Sequence, residues 1–127
     1  MPIAYKVTCT GFNGQLHSSA IDGQSRVTYY VGEEVQRNKG CGPLMLFADL
    51  QDAFDYMRAM KSERHTLKVW EATYDASSDD KVWMRSGLTS TKEDVISTLV
   101  QILGIAIRGS LVLADTVRLV KEIERMG

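Results

Sequence analysis

An α+β fold, a mostly antiparallel β-sheet with two main helices packed on it, is predicted by three features of the sequence. Segments that alternate apolar with polar residues dominate the first half and recur in the second. Turn signals such as Gly11-Phe12-Asn13-Gly14 and Asp22-Gly23 separate the early segments, and hairpin connections of this kind favour antiparallel pairing. Two stretches switch to helical spacing behind a capping residue, and such helices cover one face of the sheet.

In chain order, Ile3 to Cys9 reads as a strand, with Ile3, Tyr5 and Val7 on one face and Ala4, Lys6 and Thr8 on the other. Leu16 to Ala20 returns as a second strand. Arg26 to Val31 is a third, with Val27, Tyr29 and Val31 on one side and Arg26, Thr28 and Tyr30 on the other, and Gly32 ends it. Gln36 to Pro43 is a loop, and Leu44 to Phe47 is an apolar run that fits a buried strand. Asp49 is placed to cap a helix running to about Ser62, with Asp52 as a weak capping-box partner. Leu50, Ala53, Phe54, Met57 and Met60 form its apolar stripe, leaving Asp55, Arg58 and Lys61 toward solvent.

Leu67 to Tyr74 returns to a period of two, Asp75 to Lys81 is a polar loop, and Val82 to Met84 is a brief strand. Ser90 with Glu93 makes a capping box before the stripe Val95, Ile96, Leu99, Ile102 and Leu103, and Gly104 is the expected C-cap. Between helix and strand for the tail, the density of β-branched residues favours a strand near Thr116 to Ile123.

The 127 residues suit one domain, spanning 1–127, and an apolar share of 44% is close to the globular average. A chain of this length buries roughly two thirds of its unfolded surface and needs no disulfide or metal to fold. A formal net charge of −1 argues against non-specific DNA binding, which calls for a basic excess. Cys9 and Cys41 are too few for a disulfide framework and match no metal spacing; His17 and His65 have no ligand partner at a suitable interval. No signal peptide is read at the N-terminus, and no apolar run nears the roughly 20 residues needed to span a bilayer. A cytoplasmic protein with no cofactor, no metal and no membrane partner is the expectation.

Three features bear on chemistry. The Gln36–Pro43 loop sets Arg37, Asn38 and Lys39 beside Gly40 and Gly42, so that cations and backbone N–H groups can converge on an anion; an ordinary solvated turn is the other reading. Arg108-Gly109-Ser110 follows an apolar helix and can hold a guanidinium on a rim. Aromatic residues cluster on the strands, and a face carrying Trp70 with Arg26 could stack a purine, although core packing suits Trp70 as well. The acidic Asp75, Asp79 and Asp80 lack the glycine and distal glutamate of a calcium loop. No base, nucleophile or metal set marks a catalytic site, so the chain is read as a non-enzyme.

Several segments together carry a resemblance: Tyr5-Lys6-Val7; Tyr29-Tyr30-Val31-Gly32-Glu33; Leu44 to Phe47 running into Asp49-Leu50-Gln51-Asp52-Ala53-Phe54; Leu67 to Ala72; and Leu113 to Ile123. In this order they resemble small phage-encoded proteins, most closely the first family of Thoeris anti-defence proteins. The resemblance implies a sponge that binds cyclic ADP-ribose signals without cleaving them, with cyclic oligonucleotides as a second ligand class. It also implies a homo-oligomer working in the cytoplasm of the host cell. Arg108 and Asp115 are the site residues it transfers, whereas Asp79 to Ile107 departs from the family pattern. A small inhibitor that covers a host protein surface is the alternative, and a small enzyme acting on a nucleotide a third.

Overall fold

The structure, a computed structural model, describes residues 2–10, 15–18, 27–38, 43–60, 66–83, 89–109 and 111–124. The α+β class holds: among the described residues a seven-stranded sheet, antiparallel at every pairing, carries two helices.

The sheet is organised by three long strands, β1 (Ile3–Thr10), β6 (Thr66–Ala76) and β9 (Leu111–Ile123). β6 pairs with β1 along one edge and with β9 along the other. The apolar run read as a buried strand is β5 (Leu44–Phe47), which pairs with β9 and reaches β1 through Tyr5↔Phe47. The four strands β1, β6, β9 and β5 therefore close a ring. Two short strands, β2 (Leu16–Ser18) and β3 (Thr28–Tyr29), extend it from β1, and β4 (Glu34–Gln36) extends it from β9.

Closure changes which residues are core. Alternation along β1 suggests that Ala4, Lys6 and Thr8 form the polar face, yet they are 0%, 6% and 0% exposed, whereas Ile3 is 53% exposed. These residues point into the ring, where Ala4, Tyr29, Leu46, Trp70, Ala72 and Leu119 form a cluster with no helical member among the described residues. Lys6 Nζ donates to the Met45 carbonyl at 2.8 Å and lies 5.6 Å from the centre of the Tyr29 ring. Burial away from water disfavours its charged form and lowers its pKa from 10.5 to about 8. Trp70 Nε1–H donates to Thr8 Oγ1 at 2.8 Å. Thr8→Val retains the shape and removes the acceptor, so it is expected to cost about 1–3 kcal/mol in urea unfolding; an unchanged midpoint would mean that this bond contributes nothing.

The outer face of the ring packs on the helices. α1 (Leu50–Ala59) is capped by Asp49, whose carboxylate accepts the N–H of Gln51 and of Asp52. Ala53, Phe54 and Tyr56 meet Val7, Phe47, Val69 and Leu113 in a second cluster. A two-stranded hairpin, β7 (Lys81–Trp83) with β8 (Thr89–Thr91), leads into α2 (Lys92–Thr98), which continues as a π-helical turn over Leu99–Leu103. Val95, Ile96 and Leu99 join the second cluster, so this face of α2 lies against its own core. Gly104 is the C-cap, with φ 68, the left-handed backbone that glycine adopts without a Cβ penalty.

Several local expectations are corrected. The third strand is cut to Thr28–Tyr29 because the chain turns at Tyr30–Glu33, where Glu33 N–H donates to Tyr30 O and Gly32 takes φ 83; Val31 consequently lies outside, 52% exposed. β4 has no apolar period to announce it and exists because β9 offers it an edge. β6 runs on through Asp75 and Ala76, so the polar loop begins at Ser77. The second helix is capped by Thr91, which accepts from Asp94 N at 3.2 Å, rather than by Ser90, which is held in the hairpin opposite Val82. The tail strand begins at Leu111, five residues before Thr116. The expected segments at 11–14, 19–20, 22–23, 39–42, 61–62 and 84 lie outside the described residues.

Candidate functional site

Asp52 does not act as the capping-box partner. Its short side chain turns from the helix start toward the segment before β9 and is fully buried. Both carboxylate oxygens accept Arg108 N–H, at 2.8 and 3.0 Å, and Oδ2 also accepts Gly109 N–H at 2.8 Å. Glycine suits the next position because a Cβ on Gly109 would approach Asp49 Cβ to 3.0 Å. The backbone of Arg108 is thus pinned to the first turn of α1, with its guanidinium directed along that helix.

One turn further on, the guanidinium meets Asp55. Arg108 Nη1 donates to Asp55 Oδ2 at 3.0 Å, and Arg58 Nη1 donates to Asp55 Oδ1 at 3.1 Å. Gln51 Nε2 also donates to Oδ1, at 2.9 Å. The three charged residues line an open cleft of about 480 Å³ whose remaining walls are Ala59, Gly104, Ile105 and Ala106. Asp55 is the most covered of the three, with its side chain 20% exposed against 41% for Arg58 and 56% for Arg108. Ion pairs this exposed contribute at most about 1 kcal/mol each, so their importance lies in the arrangement of charge. Two guanidiniums around one carboxylate leave one net positive charge in a cleft with an otherwise small and apolar lining.

The other expected site residues lie elsewhere. Arg37 reaches Asp79 at 2.6 Å and Asp115 at 3.4 Å, and its backbone N–H donates to Asp115 O, joining β4 to β9 and to the Ser77–Asp80 loop. Asn38 follows it and is half-buried. Arg37 and Asp115 therefore belong together, and Arg108 belongs with Asp55 and Arg58; among the described residues the two groups share no hydrogen bond or ion pair. Trp70, buried inside the ring with its indole N–H on Thr8, is a core side chain here. Arg26, Lys39 and Gly40 lie outside the described residues.

Sequence reasoning placed Asp55 and Arg58 in solvent and so missed two members of the cleft. Their spacing of three residues marks them as neighbours on a helix surface, but nothing local connects them with Arg108. Among the described residues no group of His, Cys, Asp and Glu is arranged to hold a metal ion, and no helix is long and apolar enough to cross a membrane. No family model, curated protein or solved structure matches this chain.

Proposed function

We propose that the protein captures a small cyclic nucleotide signal of the cyclic ADP-ribose class and holds it without cleaving it, as a phage anti-defence sponge in the host cytoplasm. The observation that carries this reading is the Arg58–Asp55–Arg108 cleft. Arginine forks suit phosphate oxygens, and the small apolar walls at Ala59, Ile105 and Ala106 leave room for a ribose or base edge. The resemblance to the anti-defence family, which transfers Arg108 from beside the matching tail, points the same way. A homo-oligomer belongs to this proposal, since pockets of such sponges can be completed between copies.

Incubation with isomers of cyclic ADP-ribose is expected to deplete the free ligand, followed by mass spectrometry, and heating the protein is expected to return it intact. Arg108→Ala should weaken capture on the order of tenfold or more, as loss of a charged hydrogen-bond donor to phosphate would. Ligand left free, or recovered cleaved, overturns the sponge. A second reading, an inhibitor that covers a host protein, draws on the exposed Tyr30, Val31 and Val120, which the bond from Gly32 N–H to Leu119 O brings to one corner of the sheet.

A further inference from the structure

We propose that Asp55 is a resident counter-anion, occupying the place between Arg58 and Arg108 that the pyrophosphate of a bound ligand takes over. This rests on reading the cleft as an anion site. The carboxylate presents one oxygen to each guanidinium, as two neighbouring phosphoryl groups would. Each arginine uses a single N–H in these contacts, out of the five that a guanidinium carries. A carboxylate cannot satisfy two such forks. A pyrophosphate, with more acceptor oxygens and a second charge, gives each fork its own phosphoryl group.

The backbones of the two arginines are anchored without Asp55. Arg58 projects from α1, and the Arg108 backbone is held separately by Asp52. Displacement also leaves Asp55 with a partner, because Gln51 Nε2 donates to the same oxygen that Arg58 uses. In the free protein the carboxylate keeps the two cations oriented. Against an incoming anion it acts as a like charge at close range and as an acceptor permanently at hand, so it lowers affinity.

The test is isothermal titration of inorganic pyrophosphate, and separately of ADP-ribose, into wild type, Asp55→Asn and Asp55→Asn/Arg108→Ala at fixed low salt. Asp55→Asn is expected to bind pyrophosphate on the order of tenfold more tightly than wild type, and Arg108→Ala to abolish the gain. Equal or weaker binding by Asp55→Asn would show that the carboxylate only positions the arginines, which overturns the proposal. Should circular dichroism find the Asn variant misfolded, Asp55→Ser has the same expected gain. In wild type, pyrophosphate should shift the 13C carboxylate resonance of Asp55 and leave that of buried Asp52 in place; an unmoved Asp55 resonance at saturation also overturns it. Tighter pyrophosphate binding by Asp55→Asn without capture of cyclic ADP-ribose isomers would keep this inference and reject the sponge. Capture by wild type with no gain in the variant would do the reverse.

Discussion

Asp52→Ala should lower the unfolding free energy by about 3–6 kcal/mol, the largest effect expected of any single substitution discussed above. The side chain is fully buried, and its oxygens accept two backbone N–H groups from a segment more than fifty residues away in the chain. Removing it leaves both donors without their acceptor. A hydrogen bond to a charged group contributes roughly 1.5–3 kcal/mol, and two such bonds set the range. The loss is local in origin but reaches the cleft, because these bonds fix where the Arg108 guanidinium begins. Asp52→Asn keeps one acceptor oxygen and should cost about half as much. Urea unfolding followed by Trp fluorescence measures both. A loss below about 1 kcal/mol in the Ala variant would mean that the Arg108–Gly109 segment is held by something other than Asp52.

The second large effect is a pH dependence at Lys6. Burial holds its pKa in the folded protein at about 8, below the ordinary 10.5. Between these values the unfolded chain still binds a proton that the folded chain has released. Unfolding free energy therefore rises with pH across this window, by about 1.4 kcal/mol per unit and about 3 kcal/mol in all. Below pH 8 the ammonium is charged in both states, and its desolvation inside the ring is a standing destabilisation that the Met45 carbonyl and the Tyr29 ring offset in part. Lys6→Met keeps most of the volume and has nothing to titrate. At pH 7 it is expected to match or exceed the stability of wild type. Between pH 8 and pH 10 wild type should gain on the variant, and urea unfolding of both at each pH isolates the difference from the titration of other groups. Parallel curves would show that the Lys6 amine reaches water in the native state.

These two residues also mark where local pattern stops being informative. The α+β class, α1 behind Asp49, the buried run Leu44–Phe47, the long strand around Val69 and the glycine cap at Gly104 were all legible. Each depends on a spacing or a capping residue within one stretch of chain. The strand character of the tail was legible too, from its β-branched residues, although its start at Leu111 was not.

The set of elements and most of the apolar stripes are thus written locally, because periods of two and 3.6 residues are properties of a single segment. Long-range packing alone closes β1, β6, β9 and β5 into a ring. Closure gives β1 two buried faces, and Lys6 lies inside where alternation placed it outside. Long-range packing also decided that Asp52 would hold the Arg108 backbone and that Asp55, Arg58 and Arg108 would share a cleft. The physical reason is the same in each case. A polar side chain takes whichever partner the fold brings to it, and a partner fifty residues away leaves no mark on the local pattern.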